Sequence, residues 1–117
     1  MKKIEFEFCE KENKKLYIGN FLKNLDENSY KKINVKLEYF QEHTLLSFRN
    51  SKHTKLLDKK TELSEVRTKI NKHWFRFLGK WVKNIFYIVH AFKKKSNETP
   101  PREIKTANKK VEDYFNK

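Results

Sequence analysis

Between Leu63 and Phe92 three strand-like runs follow one another almost without pause: about 63–70, 73–82 and 85–92. Asn71-Lys72 is a two-residue hairpin turn between the first two, and Lys83-Asn84 lies at the second reversal. Such gaps leave no room for anything but a meander, so the second half of the chain is committed to an antiparallel-rich sheet. Ile4-Glu5-Phe6-Glu7-Phe8 alternates with period two and adds a half-buried strand at the start.

Helical spacing fills the interval between them. Tyr17, Phe21, Leu22 and Leu25 mark a short helix, and Tyr30, Ile33, Leu37, Phe40 and Leu45 a longer one, with capping residues from Asp26 to Ser29 between them. The polar and basic stretch 48–60 is expected to be a loop pinned by Leu56 and Leu57. Thr99-Pro100-Pro101 opens a terminal helix running to about residue 116, since proline costs nothing where the first helical N–H groups lack partners. The expected order is β-α-α-β-β-β-α: one α+β domain over 1–117, with helices on one face of the sheet.

Charge sharpens this outline. The formal net charge is +13, and it is uneven. Residues 1–65 carry 14 basic and 11 acidic side chains, whereas residues 66–117 carry 14 basic and 4 acidic ones. A polyanion-facing surface is therefore expected in the second half. Cys9 is the one cysteine, so there is no disulfide framework and a reducing cytoplasm is the natural setting. Met1-Lys2-Lys3 is followed by alternation rather than an apolar signal core, and the longest apolar run, 85–89, is far too short to span a bilayer. No metal-ligand cluster stands out, and neither a metal nor a cofactor is expected.

Register locates a site. With Asn71 and Lys72 as turn residues, Arg67 lies directly opposite Arg76. A second reversal centred on Lys83 sets Arg76 opposite His90, giving a row across three strands. Alternation assigns Val66, Ile70, Phe75, Phe77, Trp81, Ile85, Tyr87 and Val89 to a core face. Glu65, Arg67, Lys69, Trp74, Arg76, Lys80, His90 and Lys94 fall on an open face, with Leu78, Ile88 and Phe92 among them. Two arginines directly opposite each other repel by up to about 1 kcal/mol unless an anion lies between them. A phosphate over the row would supply that anion, and the guanidinium is shaped to grip it. Trp74 and Phe92 are candidates for stacking bases. On this reading either arginine can be removed without harm to the fold.

Three ordered motifs carry a family resemblance. They are Leu63-Ser64-Glu65-Val66-Arg67, Trp74-Phe75-Arg76-Phe77-Leu78, and the long segment from Val89-His90-Ala91-Phe92-Lys93-Lys94-Lys95 through Ser96, Asn97, Thr99 and Pro100 to Glu103-Ile104 and Ala107. Together they resemble the HigB-like, phage Gp49-related branch of the RelE/ParE toxin superfamily over roughly residues 56–115. Departures are Ala91 for the usual glycine, Ser96 for threonine, and Gly79-Lys80 inside a strand.

The resemblance implies a RelE-like fold and a metal-independent endoribonuclease that cuts mRNA in the ribosomal A site, held in check by a helix-turn-helix (HigA-like) antitoxin. It places Arg67 and Arg76 at the family's two strand arginines, His90 at the branch's histidine, Lys94 at a cation after the last strand and Lys55 at a basic loop position. The candidate catalytic residues are thus Arg67, Arg76 and His90. The candidate RNA-binding residues are Lys55, Lys69, Trp74, Lys80, Phe92, Lys94 and Lys95. Two other classes stay open: a ParE-like gyrase poison, and a non-catalytic RNA-binding module.

Overall fold

The computed structural model describes residues 2–96 and 98–116; Asn97, which belongs to the last of the three motifs, lies outside the described residues. The elements are β1 (Glu5–Phe8), α1 (Gly19–Lys23), α2 (Glu27–Phe40), α3 (Leu45–Arg49), β2 (Thr54–Asp58), β3 (Leu63–Ile70), β4 (His73–Val82), β5 (Ile85–Lys94) and α4 (Pro101–Phe115). The class is α+β as expected, with a mostly antiparallel five-stranded sheet in the order β1-β5-β4-β3-β2, compatible with a RelE-like fold. β1 is the exception, pairing parallel to β5.

Two elements differ from the sequence expectation. The stretch 48–60 is not simply a loop: it contains the end of α3 and the edge strand β2, which pairs antiparallel with β3. Leu45 does not extend α2 but opens α3, because Thr44 caps a new helix through its side chain. Asp26 does the same for α2, accepting from the backbone N–H of Ser29 at 2.6 Å.

Helices cover both faces of the sheet, not one. Ile33, Leu37 and Phe40 of α2, with Phe48 of α3, pack on Val66, Ile70, Phe75, Phe77, Phe86 and Ile88. Ala107 and Val111 of α4 pack on Leu63, Leu78 and Val89 from the other side. Each large apolar side chain buried this way contributes roughly 1.5–3 kcal/mol. The Tyr17 hydroxyl also donates to Asp113, tying the N-terminal segment to α4. Burial, with Asp113 second, pushes the Tyr17 pKa up to about 12.

The Asn71-Lys72 turn has both residues at positive φ, 52° and 72°, which matches the twist of a tight hairpin. Arg67 accordingly stands opposite Arg76. The second reversal departs from expectation. Val82 pairs with Ile85, so the turn is not centred on Lys83, and a bulge follows in which Gly79 faces Ile88 but Leu78 faces His90. Val89 is the extra residue, and Val89 and His90 both end on the α4 side. Arg76 therefore faces Phe92, and His90 lies two pairs further along, opposite Leu78 and diagonal to the arginine. The same bulge corrects the face assignment: Tyr87 and Val89 belong to the α4 side, Ile88 to the α2 side.

Gly79 makes the bulge possible. A Cβ there would collide with the backbone carbonyl of Tyr87. We expect Gly79→Ala to cost about 1–3 kcal/mol, because the clash is with backbone rather than a flexible side chain. An unchanged denaturation midpoint would show that the strand can re-register freely.

Candidate active site and nucleic-acid interface

The arginine pair is joined by an anion, and the anion is the chain's own. Glu65 precedes Arg67 by two residues, so period-two geometry puts both on the α4 side of β3. Its carboxylate accepts from Arg76 Nη1 at 2.9 Å and lies 3.6 Å from Arg67 Nη1. The Thr99 hydroxyl donates to the same Glu65 oxygen, and Arg76 Nη2 donates to the Ser96 carbonyl at 3.3 Å. Glu65 and Arg76 are both 0% exposed. Arg76 is therefore not on an open face. It is roofed by Ser96 and Thr99, and its removal will not leave the fold intact. Among the described residues, Glu65 Oε2 and Arg76 Nε have no hydrogen-bond partner.

Arg67 is the accessible member of the pair, its side chain 21% exposed. Its Nε donates to the Lys52 carbonyl at 3.1 Å, which aims the guanidinium across the end of β2. Trp74 lies among three cations, with its ring 5.9 Å from Arg67, 5.6 Å from Lys69 and 5.7 Å from Arg76. A depression of about 390 Å³ opens here, lined by Lys36, Lys52, His53, Arg67, Thr68, Lys69 and Trp74.

His90 sits under α4. Glu103 and Lys110 are two helical turns apart, so both face the imidazole. Nε2 is 2.8 Å from Glu103 Oε1 and Nδ1 is 2.9 Å from Lys110 Nζ. Lysine has only protons to give, so Nδ1 accepts and Nε2 carries the hydrogen donated to Glu103. Burial holds the His90 pKa below its ordinary value; Lys110 pushes the same way and Glu103 opposes. Burial likewise lowers Lys110.

A pH dependence follows. The unfolded chain protonates His90 near pH 6.5 and the folded chain only lower. That stability is complete above about pH 6.5 and is lost as the pH falls toward the folded value. His53, lowered first by burial and then by His43, Lys36, Lys52 and Arg67, acts in the same sense. We expect the denaturation midpoint to fall between pH 7.5 and 5.5, and His90→Gln to shrink the fall. An identical slope in the variant would refute the assignment.

The remaining candidates divide. Lys69 is exposed beside Trp74, Lys94 stands opposite Trp74, and Lys95 is exposed at the end of the strand. Lys55 is exposed on β2 opposite Glu65. Lys80 does not join them. It lies 3.7 Å from Glu62 and over the Phe115 ring, under the far end of α4. Phe92 is packed against the α4-side core, with its ring 5.9 Å from His90, rather than open for a base. Sequence reasoning missed Glu65, Thr99, Glu103 and Lys110 as partners. The Glu65-x-Arg67 spacing was the legible signal for the first, and the seven-residue spacing of Glu103 and Lys110 for the last two.

A family model described as phage-derived protein Gp49-like matches residues 20–112. The chain belongs to that family. Gp49-like proteins are RelE/HigB-like in general and are associated with the toxins of toxin–antitoxin systems, which implies an antitoxin partner. No curated protein and no solved structure matches the chain significantly. Among the described residues, no helix is long and apolar enough to cross a membrane.

Proposed function

We propose that this Gp49-like chain is a HigB-type toxin and a metal-independent endoribonuclease, cutting mRNA in the ribosomal A site and neutralised by a HigA-like helix-turn-helix antitoxin in the cytoplasm. The observation that carries the reading is the Arg67–Glu65–Arg76 arrangement, which holds one accessible guanidinium against a fixed buried one beside a carboxylate-free basic depression. Arg67 takes the scissile phosphate, Arg76 adds field from beneath, and Lys69 and Lys94 flank the strand. His90 is the proton carrier. Its lone pair at Nδ1 lies behind Lys110, and when Lys110 turns onto a phosphate that lone pair accepts the ribose 2′-OH proton. The 2′-oxygen then attacks phosphorus, the bond to the 5′-oxygen breaks, and the imidazolium, steadied by Glu103, protonates the leaving oxygen.

Induction in growing cells tests this. Rapid translation arrest with transcripts cut inside codons supports it; halted replication with DNA damage, or no toxicity, defeats it. One observation favours a second reading. Arg76 is enclosed and both His90 ring nitrogens are engaged, as a non-catalytic RNA-binding module would also arrange them. Arrest without cut transcripts would select that alternative.

A further inference from the structure

The depression at Arg67 does not end there. A second, of about 370 Å³, is lined by Lys31, Lys32, Val35, Lys36, Lys69 and Ile70 with Asn71, and the two share Lys36 and Lys69. They form one groove along the edge of β3, where strand pairing with β2 stops at Thr54–Val66 and α2 becomes the opposite wall. We propose that this groove is a track for the phosphate backbone of single-stranded RNA, gripping the strand beyond Arg67 with Lys32 and Lys36 of α2 and with Lys52; the proposal rests on the RNA-directed reading above.

The case is electrostatic and geometric. Lys32 and Lys36 are four residues apart and so lie on one stripe of α2. Lys32 Nζ donates to Asn71 Oδ1 at 3.2 Å, which fixes that end of α2 against the β3–β4 turn. Among the described residues, no carboxylate lines either depression. Glu27 of α2 lies 3.4 Å from Lys31, and the Asp26 cap interacts electrostatically with Lys32. The groove's lysines outnumber these acids and repel one another, a cost that a bound polyanion removes. Its α2 wall and Lys52 belong to the first half of the sequence, so the charge surplus of the second half did not place those lysines. An acidic protein is the poorer fit. Protein interfaces have apolar cores depleted in lysine, whereas only Val35 (64% exposed), Ile70 and Trp74 are apolar here. Lysine ammoniums are point charges that accept any phosphate geometry.

The test uses the full chain and a fluorescent 2′-O-methyl RNA strand, which binds but cannot be cut. Affinity is measured by anisotropy across salt for the parent, for Lys32→Gln/Lys36→Gln, for Lys52→Gln, and for a charge-matched control, Lys59→Gln/Lys109→Gln. Circular dichroism checks each fold. Losing two phosphate contacts should lower the logarithmic salt slope by about 1.4 and weaken binding about tenfold, with the control unchanged. Parallel sedimentation with message-free and message-bound ribosomes identifies the source. Loss on both assigns ribosomal RNA, and loss only with message assigns mRNA; either supports the track. Parent-like binding by the groove variants, equal loss in the control, or preference for polyglutamate over RNA overturns it. A parent that cuts transcripts alongside unaffected groove variants sinks the groove alone. A parent that neither binds RNA nor arrests growth sinks the groove together with the proposed function.

Discussion

Replacing Arg76 with alanine should destabilise the protein by about 3–5 kcal/mol, because it leaves the Glu65 carboxylate buried and unpaired. Both side chains are fully enclosed, and the Arg76–Glu65 contact is a direct ion pair at 2.9 Å. Removing the guanidinium also strips Thr99 and the Ser96 carbonyl of a donor and leaves Trp74 without one of its three cations. Glu65→Ala should cost a similar amount for the mirror-image reason. The double variant Glu65→Leu/Arg76→Met should recover most of the loss, since a buried ion pair is often replaceable by apolar groups of like volume. Chemical denaturation followed by fluorescence checks all three. An Arg76→Ala protein as stable as the parent would mean that the roof over the pair opens to water. Loss of toxicity in Arg76→Ala therefore says nothing about catalysis until its folded fraction is known.

Arg67→Ala makes the cleaner functional test. Its guanidinium is partly exposed, and its ion pair to Glu65 is long, so the fold should survive while Arg76 keeps the carboxylate satisfied. On the proposed mechanism it takes the phosphate, and removing one such donor typically costs about 10²–10³-fold in rate. The measurement is single-turnover cleavage of ribosome-bound mRNA by variants shown to be folded. Arg67→Lys should rescue only part of the loss, because a point charge cannot hold two phosphate oxygens at once. A folded Arg67→Ala protein that cuts at the parental rate would remove the arginine pair from the mechanism.

The sequence made the meander, its first register and the terminal helix legible because each has a local cause: short gaps, alternation, and prolines at a helix start. It hid what depends on the third dimension. The bulge at Gly79 moved His90 past Arg76, and nothing in period two announces an extra residue. β2 was obscured by its charge: Lys55, Asp58, Lys59 and Lys60 read as loop, yet an edge strand needs only one covered side. Two facing arginines do need an anion, but the one between them is Glu65, two residues from Arg67, rather than a phosphate from outside. α2 is marked in the sequence by its apolar stripe alone, which gives the lysines on its flank no role.

The parallel pairing of β1 with β5 bears on the order in which the sheet closes. Glu5 aligns with Ile85, so β1 has no strand partner until β5, which follows the other strands, has formed. Contacts this distant in sequence form late, after the local hairpins. In pulse-labelled hydrogen exchange the amides of Glu5 and Cys9, which donate to the carbonyls of Asn84 and Ile88, should gain protection after those of β3 and β4; simultaneous protection would refute that order. Ser96 and Thr99, which cover Arg76, and Glu103 and Lys110, which hold His90, all follow β5 in the chain. Both sites therefore stay unfinished until a segment that follows every strand of the sheet has docked onto it.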